Sequence, residues 1–189
     1  MTSILKVNQI QNTAGAVTTA ADLGLNVTGS VLQVVNATTE TVSSISGTTF
    51  ADVLSLNITP TSTSSKILLT CQFSGASDNR YGGVKLYRGN TQVAASTNNV
   101  GSRSPVWFPL IGNHETWVTN NWQYCQFSHY GEHLDAPAST SQLTYKITAG
   151  NTNNTGGTVW VNAATVSDSY NDPWIHRTIT SLTATEIAG

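Results

Sequence analysis

The stretch that decides the fold is Lys66-Ile67-Leu68-Leu69-Thr70-Cys71-Gln72-Phe73. Every second position of these eight residues, from Ile67 to Phe73, carries an apolar side chain. Successive side chains of an extended chain point to opposite faces, so Ile67, Leu69 and Cys71 share one face. No amphipathic helix of useful length competes with this kind of pattern after residue 30. The stretch therefore predicts a β-strand with one buried face.

Runs of the same kind recur from residue 30 onward, and clusters of Gly, Asn, Pro or Ser interrupt them about every 8 to 12 residues. Short strands at this spacing are typical of a β-sandwich or a barrel. We therefore predict an all-β fold, a jelly-roll-like antiparallel β-sandwich of about eight to ten strands. The predicted strands cover residues 30–35, 52–58, 66–73, 84–87, 91–95, 106–110, 122–129, 142–149, 158–162 and 178–187.

Some connections between these strands carry clear turn signals. The sequence Arg88-Gly89-Asn90-Thr91 places Gly and Asn between two strand-like runs, which predicts a hairpin with a type I′ or II′ turn. Residues 60–65 end one strand and contain only turn-forming residues before the next strand begins. Residues 150–157 predict a longer loop rich in Asn, Gly and Thr.

The first 29 residues differ from the rest of the chain. Four apolar side chains, Ile4, Leu5, Val7 and Ile10, are followed by a nearly uncharged run of small residues. Such a segment cannot bury its own apolar side chains, because they are too few to offset the entropy of ordering the backbone. We therefore predict an extended N-terminal arm over residues 1–29 and a head domain over residues 30–189. The four apolar residues are interpreted as an anchor that packs on another protein.

The composition of the 189 residues suits one folded domain with a weakly charged surface. Apolar residues make up 39% of the chain, whereas charged residues make up 10%, against about 25% in an average globular protein. The 29 threonines and 20 serines supply hydroxyl groups that keep such a surface hydrated. Because the net charge is −2 and the eight basic residues are scattered, the sequence argues against nucleic-acid binding.

Two features bear on the compartment in which the protein is made. No apolar run is long enough for a membrane-spanning helix. The residues after Met1 also lack the basic segment followed by an apolar segment that is typical of a signal peptide. We therefore expect neither membrane insertion nor a signal peptide, and we expect synthesis in a cytoplasm. Cys71 and Cys125 each share a face with apolar strand residues, which predicts two buried free thiols. A disulfide between them is the alternative, and cytoplasmic synthesis disfavours it.

Acidic residues offer two candidate carboxylate pairs for cleaving a glycan, Glu132 with Asp135 and Asp168 with Asp172. Enzymes of this kind hold their two carboxylates about 5 Å or about 6.5 to 9.5 Å apart. Both pairs lie in predicted loops, where aspartate is a common turn residue. The sequence also contains no Gly-x-Ser-x-Gly elbow, and we expect no enzymatic activity.

His129, His133 and Asp135 follow Phe127 at the end of the predicted strand 122–129, and they would converge on a metal ion only if the chain turned there. Their spacing matches no zinc pattern, and the sequence shows no fourth ligand. We interpret them as loop residues bonded to water or to neighbouring backbone. Neither a metal ion nor a cofactor is expected.

Aromatic side chains are concentrated beside Asn, Asp and His residues, at Trp107, Trp117 and Trp122 and over residues 170–177. A flat ring beside amide and carboxylate groups suits a sugar or a protein surface, because the ring covers apolar C–H area while the polar groups fix orientation. A tryptophan of a β-protein also commonly fills a core or a subunit interface, and this alternative stays open. The candidate receptor-binding residues are Tyr170, Asn171, Asp172, Trp174 and His176.

Glu186 alternates with Leu182 and Ala184, so it is predicted to point to an apolar face of the last strand. A buried carboxylate needs a partner, for which we expect an arginine or a lysine of the same chain or of another subunit. Exposure at a loosely held chain end is the alternative interpretation.

Four parts of the chain carry a resemblance to a known family. They are Ser30-Val31-Leu32-Gln33-Val34-Val35, then Asn57-Ile58-Thr59-Pro60 with Ser65-Lys66-Ile67-Leu68-Leu69, then Leu134-Asp135-Ala136-Pro137 with Thr144-Tyr145-Lys146-Ile147, and Ile179-Thr180-Ser181-Leu182-Thr183 with Glu186-Ile187. These parts resemble the C-terminal head domain of many tail-fibre proteins of tailed bacteriophages. The arm resembles the N-terminal plug by which such virion appendages join the particle. Heads of this kind are similar to the trimeric jelly rolls of C1q and tumour necrosis factor, which implies a homotrimer.

The resemblance implies a virion structural protein, a homotrimeric tail or baseplate fibre that mediates attachment to the host surface. Its partners would be further copies of itself, other virion structural proteins bound through the arm, and a host surface receptor, with glycans among the candidates. It would be assembled in the host cytoplasm and then reside in the virion. The near alternative is a capsid-surface fibre or a decoration (cement) protein. A soluble lectin and a glycan-cleaving enzyme are the alternatives from other classes.

Overall fold

The computed structural model describes residues 28–79, 81–97, 101, 104–110, 126–152, 157–165 and 176–189. Over these ranges the chain forms eleven β-strands, and no helix with the length and hydropathy of a membrane span occurs in them. The strands are β1 (Val31–Thr39), β2 (Ser43–Ser46), β3 (Ala51–Ile58), β4 (Lys66–Ser77), β5 (Gly82–Arg88), β6 (Thr91–Gln92), β7 (Phe108–Pro109), β8 (Phe127–Asp135), β9 (Leu143–Asn151), β10 (Thr158–Val161) and β11 (Thr180–Ile187).

The strands form two antiparallel sheets. In the first sheet the neighbours run β1-β11-β4-β8, and β10 with β2 continues this sheet beside the end of β4. In the second sheet the neighbours run β3-β9-β5, and both β6 and β7 pair with β5. Each sheet joins strands that are distant in sequence, as the Greek keys of a jelly roll do. The predicted all-β, jelly-roll-like antiparallel β-sandwich is confirmed for the described residues.

The core lies between the two sheets and follows from the alternation in the sequence. Every second side chain of β4 is buried from Ile67 to Phe73, whereas Gln72 on the other face is exposed. Alternate side chains of β5 and β9 reach the same core from the second sheet. Burying one such large apolar side chain stabilises the fold by about 1.5 to 3 kcal/mol. Fully buried examples are Leu69, Leu86, Ile147 and Leu182.

The hairpin between β5 and β6 confirms the predicted two-residue turn. Arg88 and Thr91 are register partners, so Gly89 and Asn90 form the turn. Gly89 has a φ of +57°, whereas Asn90 has no positive φ, and these are the signs of a type II′ turn. Glycine adopts this φ at the first turn position without a steric penalty.

Several strand boundaries differ from the prediction. β8 extends to Asp135, whereas the predicted strand ends at residue 129. β6 and β7 are two residues long each, shorter than the predicted strands 91–95 and 106–110. The sequence does not predict β2, because Ile45 is the only apolar side chain in its four residues.

Cys71 is a free thiol in the core between the sheets. Burial raises the pKa of this thiol to about 12. It therefore stays protonated and unreactive at neutral pH. The interpretation of Cys71 as a small buried apolar residue is confirmed, and Cys125 lies outside the described residues.

Candidate functional site

Most residues of the two predicted sites lie outside the described part of the chain. All four anchor residues, Ile4, Leu5, Val7 and Ile10, belong to this group. His176 is the candidate receptor-binding residue that is described, and it is exposed. The other candidates lie outside the described residues, namely Tyr170, Asn171, Asp172 and Trp174.

The described residues that adjoin the two predicted sites in sequence lie toward opposite ends of β11. Gly29 N donates a hydrogen bond to the carbonyl oxygen of Ala188 at 2.7 Å, so the chain enters the head where β11 ends. His176 precedes the other end of β11, where Thr180 pairs with Thr39. The eight residues of β11 separate these two ends by about 25 Å, at about 3.3 Å per residue.

The structure contradicts the loop interpretation of His129, His133 and Asp135. All three lie in β8 and alternate with exposed residues, so their side chains point to the inner face of the sheet. Four residues along an extended strand separate the two histidines by about 13 Å. Within the described residues, no three His, Cys, Asp or Glu side chains are grouped closely enough to share a metal ion.

His129 packs against an aromatic ring of the core. Its ring stacks on Phe108, with the centroids 5.8 Å apart and an interplanar angle of 11°. Burial lowers the pKa of His129, which favours the neutral imidazole at neutral pH. Its Nε2 atom is buried and has no hydrogen-bond partner among the described residues. The contacts of His129 indicate packing rather than a ligand site.

The carboxylates of Glu132 and Asp135 are not arranged for hydrolysis. Glu132 lies on the exposed face of β8 and Asp135 on the inner face, because an odd number of positions separates them in an alternating strand. A glycosidase needs both carboxylates on one substrate. The other pair, Asp168 and Asp172, lies outside the described residues.

Asp135 instead joins the two sheets. Its Oδ2 atom accepts hydrogen bonds from Arg88 Nη1 and from the Tyr145 hydroxyl, each at 2.6 Å. Asp135 ends β8 of the first sheet, whereas Arg88 and Tyr145 belong to β5 and β9 of the second. Burial, together with the hydrogen bond to Asp135, raises the pKa of Tyr145, so its phenol stays a donor. We name these three residues the inter-sheet clasp.

Glu186 is fully buried on the inner face of β11, as its alternation predicts. Gln33 Nε2 donates to Glu186 Oε2 at 2.5 Å, and the backbone N and hydroxyl of Thr61 donate to Oε1 at 2.7 Å each. Burial acts to raise the pKa of Glu186, but these hydrogen bonds outweigh it, and the pKa lies below its ordinary value. The expectation of an arginine or lysine partner is wrong within the described residues, because neutral donors satisfy the carboxylate.

The outer face of the first sheet carries a row of four side chains, of which three are apolar and one is a threonine. Register pairs align Val34 of β1 with Thr185, Thr185 with Leu68, and Leu68 with Leu134 of β8. Val34 is 60% exposed and Leu134 is 49% exposed. Tyr130, on the same face of β8, is 65% exposed. The row therefore crosses the sheet from β1 to β8 as a strip that solvent can reach.

The surroundings of this row are also weakly charged. Val31 and Ile187 are register partners at the end of the same face, and Val31 is exposed. Along β1, β11, β4 and β8, the outward side chains include two charged groups, Lys66 and Glu132. Contiguous exposed apolar surface commonly marks an interaction site. We name this surface the apolar sheet face, and its residues are Val31, Val34, Leu68, Tyr130, Leu134 and Ile187.

The outer face of the second sheet carries a cleft that the sequence does not reveal. Its volume is about 210 Å³. Its floor is formed where Thr148 of β9 lies in register between Asp52 of β3 and Lys85 of β5. The alternation of β5 and β9 places these side chains outward, but only the pairing of distant strands brings them together. We name it the lysine cleft, and it is lined by Phe50, Asp52, Tyr87, Asn90, Lys146 and Thr148.

Trp107 is packed against the sandwich. Its ring centroid lies 5.4 Å from that of Phe108, and its Nε1 atom donates to the carbonyl oxygen of Glu132 at 3.3 Å. These contacts support the alternative interpretation of Trp107 as a ring that fills space in the fold. Trp117 and Trp122 lie outside the described residues.

Comparison with protein-family models and with curated proteins found no match for this sequence. Function is therefore inferred from three structural features of the head. They are the apolar sheet face, the lysine cleft, and the positions of Gly29 and His176 toward opposite ends of β11.

Proposed function

We propose that this protein is a virion structural protein of a tailed bacteriophage, a homotrimeric tail or baseplate fibre that attaches the particle to its host. The arm docks with other virion structural proteins, and the head turns its far end toward the host surface. Attachment is non-covalent. Several copies on one particle convert weak single contacts into avidity.

The observation that carries this proposal is the apolar sheet face. Val34, Tyr130 and Leu134 are about half exposed or more in the single chain. Burying a large apolar side chain gains about 1.5 to 3 kcal/mol, so covering this face would stabilise an assembly. Further copies of the same chain suit this role, because a closed ring buries the same surfaces in every subunit. The number three comes from the resemblance to trimeric heads.

The two ends of the head suit different roles, anchoring at one end and receptor binding at the other. Gly29 lies at the end where β11 finishes, beside Ala188. The exposed His176 precedes the opposite end of β11. An anchor at one end leaves the other end free to meet a receptor.

The oligomeric state tests the assembly. Light scattering of the full chain at micromolar concentration is expected to give the mass of three chains of 20.1 kDa. Leu134→Lys places a charge in the apolar sheet face and is expected to release monomers. Ser55→Lys also adds one positive charge, but on the outer face of the second sheet. It is the matched control and should leave the trimer intact. A wild-type monomer would overturn the trimer.

The place of the protein on the particle tests the attachment role. Imaging of intact particles is expected to locate the head on the tail or baseplate. Density on the capsid surface would instead assign the protein to the capsid-surface fibres or decoration proteins. Absence from the particle would overturn the whole proposal.

A further inference from the structure

The floor of the lysine cleft contains a polar group without a partner. Thr148 is 4% exposed, and its Oγ1 atom has no hydrogen-bond partner among the described residues. A buried hydroxyl that lacks a partner is destabilising, because it has lost its bonds to water. A hydroxyl group of a ligand that enters the cleft would supply the missing bond after a small shift of the side chains above.

Lys146 lines the cleft, and Lys85 lies beside it, next to the lining residues Phe50 and Thr148. Lys146 Nζ lies 3.0 Å from Asp52 Oδ2, so the charge of Lys146 is compensated. Lys85 Nζ lies 4.0 Å from the centroid of the Phe50 ring and has no hydrogen bond or ion pair within the described residues. Burial lowers the pKa of Lys85, as expected for an ammonium group that loses water without gaining a carboxylate. An anionic group of a ligand would compensate this charge.

The remaining lining groups suit a sugar. Tyr87 presents a ring whose centroid lies 5.9 Å from Lys146 Nζ, and Phe50 presents a second ring. The face of an aromatic ring covers the apolar C–H face of a sugar ring. The Asp52 side chain is 63% exposed and, with the amide of Asn90, can bond to sugar hydroxyls.

We propose that the lysine cleft binds an acidic saccharide unit, that is, one sugar ring that carries a carboxylate. The carboxylate contacts Lys85, the C–H face of the ring lies against Tyr87, and the hydroxyls bond to Asp52 and Asn90. This inference deepens the proposed attachment function, and it rests on that function for the source of the saccharide, the host surface.

The size of the cleft agrees with a single unit. Its 210 Å³ lies below the roughly 300 to 1,000 Å³ of pockets that enclose drug-sized ligands. A neighbouring depression of about 360 Å³ shares Asp52 and is lined further by Thr38, Thr39 and Ser55. This depression leaves space beside the bound unit for the rest of a saccharide chain.

Ligand-observed saturation-transfer NMR on the full chain tests the chemistry of the cleft. The probes are glucuronic acid and glucose, which differ only in the carboxylate at C6. We expect glucuronic acid to bind about tenfold more tightly than glucose, because an ammonium group bonds more strongly to a charged acceptor. Equal binding of the two sugars, or no binding of either, would overturn the proposal. So would an equal response to acetate, since the cleft would then be a plain anion site.

Variants locate the binding to the cleft. Lys85→Gln is expected to remove the preference for glucuronic acid. Tyr87→Ala is expected to weaken the binding of both sugars, and Tyr87→Phe is expected to retain it. Lys66→Gln removes an exposed lysine from the first sheet and is the matched control, which should behave as wild type. Circular dichroism verifies that each variant is folded. A preference that survives Lys85→Gln, or disappears in Lys66→Gln, would overturn the assignment.

Binding of the full chain to host cells separates this inference from the proposed function. Loss of cell binding in Lys85→Gln, with wild-type binding in Lys66→Gln, supports both. If the wild type binds cells and Lys85→Gln binds equally well, attachment stands and the lysine cleft is not its site. If the wild type binds no cells but still prefers glucuronic acid, the attachment function fails while the cleft chemistry stands.

Discussion

Asp135 accepts two hydrogen bonds from the opposite sheet through one carboxylate oxygen. Because both donors lie in the second sheet, these hydrogen bonds hold the two sheets together where β8 ends. Removing one partner of a buried ion pair costs about 3 to 5 kcal/mol, because a charge is left without compensation. The Arg88 side chain is 29% exposed, so water offsets part of this cost here.

Asp135→Asn is therefore expected to lower the free energy of unfolding by about 2 kcal/mol. The amide keeps the shape of the side chain, but Arg88 loses its counter-ion. Urea unfolding followed by tryptophan fluorescence measures the change. Glu40→Gln removes one negative charge at an exposed position and should cost less than about 0.5 kcal/mol. An equal loss of unfolding free energy in the two variants would show that the inter-sheet clasp adds no stability beyond that of an exposed charge.

Glu186 makes the stability of the head depend on pH. Its pKa in the folded protein is lower than its ordinary value, so the folded state binds this proton less readily than the unfolded state. The stabilisation is complete above the unfolded pKa of about 4.3 and is lost as the pH falls through the folded pKa. Glu186→Gln should be less stable than wild type by about 1 to 2 kcal/mol at neutral pH, and the difference should shrink below about pH 4.

Urea midpoints of wild type and Glu186→Gln at a series of pH values measure this difference. Glu40→Gln is the control, because it removes one negative charge at an exposed site. A gap between wild type and Glu186→Gln that widens in acid would contradict the lowered pKa.

At the scale of elements, β4 is the strand that organises the first sheet. It pairs with β11 and β10 along one edge and with β8 along the other. Gly75 lies where β10 approaches, and a Cβ atom added there would lie 2.2 Å from the backbone oxygen of Trp160. Because backbone atoms cannot move aside as a flexible side chain can, this position requires glycine.

Gly75→Ala is expected to destabilise the head by about 1 to 3 kcal/mol, because the methyl group pushes β10 away from β4. Thermal unfolding by circular dichroism measures the effect. Ser44→Ala is the local control, since Ser44 is exposed and pairs with Trp160 from the other side. An unchanged midpoint in Gly75→Ala would mean that β10 is not held against β4 as closely as the structure has it.

The strands that the sequence predicts well are those whose alternation is apolar and unbroken. The predicted strand 52–58 is observed as Ala51–Ile58, and the strand at 66–73 is observed and extends to Ser77. β8 is different because its inner face carries His129, His133 and Asp135, and a hydrophobic pattern ends the strand at residue 129. These polar side chains are tolerated inside because partners such as Phe108 come from other strands.

Sites were harder to predict than strands, because register and loop partners decide them. Alternation correctly predicts that Glu186 is buried, but its donors Gln33 and Thr61 are far away in sequence. The lysine cleft likewise depends on the pairing of β9 with both β3 and β5. No local motif marks either arrangement.

At the scale of the whole molecule, the sandwich keeps its surfaces apart. The apolar sheet face covers the outside of the first sheet, and the lysine cleft lies on the outside of the second. Gly29 and His176, next to the proposed anchor and receptor sites in sequence, lie toward opposite ends of β11. The proposed self-association and saccharide binding therefore use different faces of the sandwich.

The arm is expected to serve incorporation into the particle and not folding of the head. Replacing Leu5, Val7 and Ile10 with Asp should leave the thermal midpoint and the oligomeric state unchanged, since the head has its own core. Particles assembled with this variant should lack the protein when their composition is analysed. Changing Asn8, Gln9 and Gln11 to Asp adds the same charge at polar positions and should permit incorporation. Loss of the folded head in the first variant would contradict a separate arm.

The loop before β11 is expected to serve adsorption, with Trp174 as the anchoring ring. An anchor fixed in the particle would occlude a receptor site at its own end, whereas residues that lead into Thr180 join the far end of the head. Trp174→Ala should reduce adsorption to host cells by about tenfold or more, as loss of a central aromatic contact does, while thermal stability stays unchanged. Trp107→Ala is the contrasting variant, because Trp107 packs on Phe108 and its removal should lower the thermal midpoint. If Trp174→Ala unfolds the head, Trp174 belongs to the core; if it changes neither property, attachment through this end is wrong and a capsid-surface role gains support.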